Sequence, residues 1–349
     1  MHKKIGLKMI KIEYLEEEIP VYDITVEDNH NFFANQILIH NCTEILLASK
    51  ELGEDTSLLP LCTLAAINWG KFSKVLTEKE ERILRDCCHI VVRGLDSLLS
   101  YQEYPVDAAE RATMLYRPLG VGLIGYAHWL AKSRLQWGTD DALAATERLM
   151  EKQAYYLTEA SIQLAKEFGP IQAKTKYADG IFPHTLSKND VLPPQMPWDE
   201  LGEQAKTYGI RNATLMAFMP AETSAQLSNE TNGIEPPRDL ISIKGSKDGA
   251  LPQVVPEFAK LNHVYETLWK VPTKAYIKTI GKFQIYVDQS ISANTSYTPI
   301  DGGIKMSELV EDLFLAYKVG AKTLYYCQTN DLSSEQHEDD GCAGGACKL

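Results

Sequence analysis

The chain has 349 residues, 44% of them hydrophobic and 23% charged, which is ordinary globular composition with ample material for a core and a length that predicts about two domains. The formal net charge is −12, and no Lys/Arg-rich patch interrupts the acidic balance, so neither a nucleic-acid groove nor a membrane-surface role is expected. No apolar run approaches the length of a membrane span, and the N-terminal MHKKIGLKMIKIEYLEEE lacks the apolar region of a secretory signal.

Residues 7–41 contain short β-like runs, LKMIKIEYL, VYDITV and FFANQILIH. Pro20, the Glu-Asp-Asn of 27–29 and Asn35 separate them, as in a small all-β unit. From Thr43 the texture changes, and residues 78–101 and 141–168 carry helical periodicity. Pro-rich loops occupy 180–198. The short apolar stretches TLMAFM (214–219), FQIYVDQSI (283–291) and TLYYC (323–327) then read as short buried strands that recur among helices, which predicts an α/β body. From Asp331 the chain is polar and Gly-rich, the composition of a mobile tail. The expected divisions are 1–41, 42–330 and 331–349, with no internal repeat.

The seven cysteines are Cys42, Cys62, Cys87, Cys88, Cys327, Cys342 and Cys347. An odd, scattered set fits a reducing cytoplasm better than a secreted disulfide scaffold. Cys87 and Cys88 lie in a helical pattern and read as packing residues; Cys327 suggests no role. Cys342 and Cys347 lie on the tail as CAGGAC. Their spacing resembles half a zinc site, but no second ligand pair follows and His337 is a weak third ligand, so no metal site is expected. A mobile dithiol fits exchange with another disulfide better.

At the first composition boundary the sequence reads His40-Asn41-Cys42-Thr43-Glu44. An Asn side-chain amide can attack its own backbone carbonyl, form a succinimide and break the bond to Cys42. His40 is placed to protonate the leaving amine, and the Cys42 thiol is a strong neutral-pH nucleophile. By itself, His-Asn-Cys reads more readily as a strand ending in a surface turn. The longer stretch VYDITVEDNHNFFANQILIHN resembles the C-terminal segment of an intein, followed by the cysteine expected just after the insert. That resemblance implies splicing roles for Asp23, His30, His40, Asn41 and Cys42, although Asp23 and His30 alone would pass for a turn cap and a surface histidine. Because the chain enters directly at this segment, the resemblance implies a split intein that joins it in trans to an upstream fragment.

Residues 42–349 resemble the C-terminal part of the large subunit of a class I ribonucleotide reductase. The resemblance is carried by CTEI (42–45), LCTLAAINWG (61–70), RNATLMAFMPAETSAQLSNETNGIEPPR (211–238), DQSISANTSY (288–297), KTLYYCQT (322–329) and the terminal CAGGACKL. It implies a two-part fold, a Hint-type all-β fragment followed by the second half of a ten-stranded α/β barrel with Cys42 on a central finger loop. It also implies radical reduction of ribonucleoside diphosphates, with Cys42 as the thiyl cysteine, Glu44 as base and Cys62 as one thiol of the reducing pair. Without the resemblance Cys62 reads as a buried small hydrophobe. Glu222, Thr223 and Ser224 are implied to bind substrate phosphate at a helix N-terminus; ordinary capping by Thr or Ser fits the local sequence equally well. Tyr325 and Tyr326 are implied to carry the radical, whereas neighbours in a regular strand would point to opposite faces and merely pack. Cys342 and Cys347 would re-reduce the active-site pair. Asn41 belongs to the intein segment and is not assigned to the reductase site.

The implied partners are the upstream reductase and N-intein fragment, the reductase small subunit, thioredoxin or glutaredoxin, the diphosphate substrate and a second copy in a homodimer. No cofactor is assigned to the chain itself. The radical cofactor, di-metal/tyrosyl, belongs to the small subunit, and ATP/dNTP allosteric sites to the upstream part. Two other readings compete. One is a self-cleaving Hint module that releases a non-catalytic binding protein. The other is a nicotinamide oxidoreductase built on Gly120-Val-Gly122-Leu-Ile-Gly125. That motif needs a strand before it and a helix opening at it. Here helical patterns flank it on both sides, so it is expected to be close helix packing.

Overall fold

The computed structural model describes residues 31–34, 37–40, 43–49, 58–61, 63–104, 106–187, 190–246, 249–299 and 303–330. The chain separates into two compact units, 1–41 and 42–349. In the first, β1 (Asn31–Ala34) and β2 (Ile37–His40) form an antiparallel hairpin with Asn31 opposite His40. The two β-like runs before it lie outside the described residues.

The second unit is built on parallel ribbons with helices between them. β3 (Leu64–Asn68) leads to α1 (Glu78–Tyr101) and α2 (Asp107–Tyr116), then to β4 (Gly120–Ile124), which pairs parallel with β3 in the register Leu64↔Gly120. α3 (Tyr126–Ser133), α4 (Asp140–Phe168) and α5 (Trp198–Tyr208) follow. The next ribbon, 214–218, lies beside β4 through Val121 N to Leu215 O (2.8 Å). It then leads into the short α6 (Glu222–Leu227), the hairpin of β5 (Ile241–Ser246) and β6 (Gly249–Val254), and α7 (Phe258–Leu261). After α8 (Thr273–Gln284), residues 288–292 run parallel to 214–218, with Phe218 bridged to Ile291. β7 (Thr295–Tyr297), α9 (Met306–Lys318) and β8 (Cys327–Thr329) complete the array, β7 and β8 again parallel. This mixed helix-and-sheet unit presents consecutive parallel ribbons to one another, as alternation of buried apolar runs with helices predicts.

Local chemistry explains the boundaries. α1 starts at a capping box: Thr77 Oγ1 accepts from Glu80 N, and Glu80 Oε2 accepts from Thr77 N (2.8 Å). Slight burial works against ionisation of Glu80, but donors from Thr77 and Ser73 outweigh it and hold the carboxyl at about 2. α4 is buried along most of its length and even hides Glu147 and Glu151, each 1% exposed. These two carboxylates do structural work. Glu147 accepts from Leu192 N and Lys282 Nζ, and Glu151 from Gln195 N, Met196 N and Trp198 Nε1, which pins the proline-rich loop to the helix. The core gathers Trp69, Tyr126, Trp129 and Phe283, with the Trp69 and Phe283 ring centroids 5.8 Å apart.

Three expectations need correction. Gly120–Ile124 is a strand, not helix packing: a Cβ at Gly120 would sit 2.5 Å from Leu64 Cδ2, and Gly125 turns the corner into α3 at φ +79°. At that corner a Cβ on Gly125 would meet Gly70 N at 2.8 Å and Glu230 Oε2 at 2.9 Å, so protein atoms fill the space that a dinucleotide loop would leave for phosphate. Residues 283–291 are not one strand. α8 runs through Gln284, the chain turns at Ile285–Tyr286, and only then does it extend. The strand predicted at 323–327 begins only at Cys327.

Candidate active site

The ribbon 288–295 is the spine of the site. Asp288 sets its register: its carboxylate accepts from Leu215 N (2.6 Å), Met216 N (2.9 Å) and the Tyr177 hydroxyl (2.9 Å). Burial raises the Asp288 carboxyl above its ordinary value, and those donors oppose the rise. Two backbone donors of 214–218 are thus satisfied by a side chain instead of a ladder, which is why this apolar run does not form a regular strand. Gln289 extends the clamp, donating from Nε2 to Leu119 O and accepting at Oε1 from Leu46 N.

Through Gln289 and its successors the ribbon grips the segment 43–46. Ser290 N donates to Glu44 O (2.9 Å), and Ser292 Oγ donates to Glu44 Oε2 (2.5 Å). Glu44 is 1% exposed, so a carboxylate two residues past Cys42 is buried against a hydroxyl-bearing strand edge. Thr43 Oγ1 lies 3.2 Å from Ser292 Oγ. Thr323 Oγ1 reaches Thr43 O (3.1 Å) and Ile291 O (3.0 Å), tying the same segment to the approach to β8.

On the other edge, Tyr325 N donates to Ala293 O (2.8 Å) and Thr295 N to Tyr326 O (2.8 Å). The two phenol rings do not point to opposite faces. Their centroids are 3.8 Å apart, and the Tyr326 hydroxyl donates to the Tyr325 oxygen over 2.7 Å. The pair precedes the regular strand, so the alternation rule does not govern it. Close, hydroxyl-linked phenols, their rings tilted 38° to one another, suit stepwise movement of an electron and a proton.

Glu222, Thr223 and Ser224 open α6, as expected, and Thr223 and Ser224 are exposed. Neither caps the helix. Ala221 occupies the N-cap and makes no side-chain cap. Ordinary capping therefore does not account for Thr223 and Ser224. Asp23, His30, Asn41, Cys42, Cys62, Cys342 and Cys347 lie outside the described residues, and His40 is described only as the last residue of β2. Cys88 is fully buried in the core, with burial pushing its thiol well up, and Cys327 is exposed. Among the described residues no cluster of three metal-binding side chains occurs, and no helix is long and apolar enough to cross a membrane.

The resemblance carried by DQSISANTSY (288–297) implies no separate roles for its polar residues. Ser290, Ser292 and Asn294 recur at a spacing of two, which places them on one face of an extended ribbon. That alternation is a readable signal for a polar face, on which Ser292 meets Glu44, Ser290 meets Thr323 and Asn294 meets Glu235.

This mixed helix-and-sheet array brings a buried carboxylate to one side of the ribbon 288–295 and a hydroxyl-linked tyrosine pair to the other. The chain belongs to the family described as ribonucleotide reductase, barrel domain, whose model matches residues 19–327. It is 47% identical over 324 residues to the ribonucleoside-diphosphate reductase subunit alpha of Haemophilus influenzae, an alignment covering 88% of this chain and 42% of the relative. It is 46% identical over 269 residues to ribonucleoside-diphosphate reductase 1 subunit alpha of Escherichia coli, covering 72% of this chain and 35% of the relative. To the alpha subunit of Enterobacteria phage T4 it is 37% identical over 327 residues, covering 88% and 42%. The chain therefore spans about two-fifths of the length of such relatives.

Proposed function

We propose that this chain supplies the C-terminal catalytic part of a ribonucleoside-diphosphate reductase large subunit, which reduces ribonucleoside diphosphates to the deoxy forms together with a small subunit. One observation carries the reading: the ribbon 290–295 binds the segment after Cys42 on one side and the tyrosine pair on the other. A radical arriving at Tyr326 passes to Tyr325 and then to Cys42. The Cys42 thiyl takes the 3′ hydrogen of the ribose, and Glu44 accepts the 3′-hydroxyl proton while Ser292 holds its Oε2. One thiol of the pair formed by Cys62 and a second cysteine on the upstream part protonates the 2′ oxygen, which leaves as water. The pair then delivers a hydrogen to C2′ as it closes a disulfide, two electrons and two protons in all. Glu44 returns its proton to the 3′ oxygen, and Cys42 returns the hydrogen to C3′, which regenerates the thiyl and sends the radical back. Cys342 and Cys347 reopen the disulfide by exchange and are themselves reduced by thioredoxin or glutaredoxin in a reducing cytoplasm. The N–H groups opening α6, with Thr223 and Ser224, receive the diphosphate. The small subunit holds the radical-generating cofactor, and the upstream part completes the barrel, the homodimer and the ATP/dNTP sites. Glu44→Gln in the joined large subunit is expected to abolish turnover while leaving diphosphate binding intact; unchanged turnover overturns the reading.

We further infer that residues 1–41 are an intein C-terminal segment that leaves when Asn41 cyclises, with Cys42 taking up the upstream chain. The division of the chain at 41/42 and a hairpin ending at His40 support this reading. A second reading is favoured by the family match, which begins at residue 19: residues 19–41 then remain part of the barrel. Mass spectrometry after mixing with the upstream fragment separates the two. Loss of residues 1–41 with ligation at Cys42 supports splicing, and a product that retains them supports the second reading.

A further inference from the structure

Glu235 lies in the loop between α6 and β5, and its carboxylate receives two amides from different directions. Asn294 Nδ2 donates to Oε1, and Asn232 Nδ2 donates to Oε2 over 3.2 Å. Each asparagine also presents its oxygen elsewhere. Asn294 Oδ1 accepts from Tyr326 N (3.1 Å), and Asn232 Oδ1 accepts from the N–H of Ala221 (2.9 Å), which stands at the N-cap position of α6. We propose that Glu235 is a positioning residue that locks Asn232 and Asn294 in one orientation each, and so holds the start of α6 and the Tyr325–Tyr326 pair in a single working geometry.

The argument turns on what a carboxylate can and cannot do. An asparagine amide has one accepting and one donating end, and rotation by half a turn exchanges them. An ionised carboxylate only accepts. Facing Glu235, both amides must turn their NH2 groups inward, which leaves both oxygens outward, where the Tyr326 and Ala221 N–H groups need them. An amide or a protonated acid at 235 would meet one NH2 with a donor of its own and release one of the two. The ionised form is thus the one that the geometry requires. Burial pushes this carboxyl up to about 7, with the Glu222 carboxylate adding to the rise, while Asn294, Arg238 and Asn232 oppose it; the Tyr276 hydroxyl of α8 also feels its charge. The charge groups facing Glu235 thus come from its own loop, from α6 and from α8.

This inference rests on the reductase reading and deepens it, by linking the phosphate end of the site to the radical end. The test uses the joined large subunit with its small subunit. Glu235→Gln keeps volume but offers one accepting atom, so turnover or diphosphate affinity is expected to fall roughly tenfold, the loss of one hydrogen bond to a charged group. Wild-type turnover is expected to decline as pH drops below about 7, where the carboxyl protonates, and the Gln variant is expected to lose that limb. The decisive variant is Glu235→Gln combined with Asn294→Asp. Its glutamine NH2 donates to the new carboxylate, whose other oxygen still accepts from Tyr326 N, so most of the lost turnover is expected to return. Wild-type turnover and affinity in Glu235→Gln, or a double variant no better than the single in turnover and folded yield, overturn the inference. A wild-type joined enzyme that makes no deoxynucleotide instead overturns the reductase reading itself.

Discussion

Ser292 Oγ donates to Glu44 Oε2 over 2.5 Å, a contact between residues 248 positions apart in sequence. The hydroxyl reaches a carboxylate that is 1% exposed, so its loss leaves a buried charge short of a donor. Ser292→Ala is therefore expected to lower turnover about tenfold or more, on the ~1.5–3 kcal/mol scale of a hydrogen bond to a charged group. Steady-state kinetics of the joined enzyme check this; unchanged kcat would remove Ser292 from the site.

The Tyr326 hydroxyl donates a hydrogen bond to the Tyr325 oxygen over 2.7 Å, and the tilted rings lie 3.8 Å apart. Tyr326→Phe keeps the ring contact and removes the hydroxyl donor. Turnover is expected to vanish while diphosphate affinity stays at the wild-type level. A phenylalanine enzyme with full turnover would show that the pair serves packing alone.

Acid stability has a clear local contributor. Glu80 has its carboxyl held at about 2, against an ordinary 4.5, so the ionised form is favoured by folding. A lowered carboxyl pKa adds stability that is complete above 4.5 and is lost as pH falls from 4.5 towards 2. Glu80→Ala is expected to be less stable than wild type at neutral pH and to lose less on acidification through that window. Parallel denaturant curves at several pH values check the slope.

How much of this was readable from sequence depended on the length scale of the signal. α1 (Glu78–Tyr101) and α4 (Asp140–Phe168) were legible because their apolar periodicity is long; the caps at Thr77 and Thr139 emerge only in the structure. The ribbons were harder. Residues 214–218 look like a strand, but Asp288, far along the chain, takes the N–H groups of Leu215 and Met216. Gly120–Ile124 reads as helix packing because helical patterns flank it on both sides, whereas it is a strand whose glycines serve close approach to Leu64, Ala217 and the Gly70 corner. Glu44 and the tyrosine pair were found by resemblance, yet their proximity through residues 290–295 was not visible in any local pattern. Only the alternation of Ser290, Ser292 and Asn294 hinted at a shared face.

One claim underlies the rest: the residue that follows Asn41 performs the hydrogen abstraction next to Glu44. The direct measurement is conversion of a ribonucleoside diphosphate to its deoxy form by the joined large subunit with its small subunit, comparing wild type with Cys42→Ser. The account predicts robust conversion for wild type and none for the serine enzyme, at equal substrate affinity. Deoxynucleotide formation at a comparable rate by the serine enzyme would contradict it.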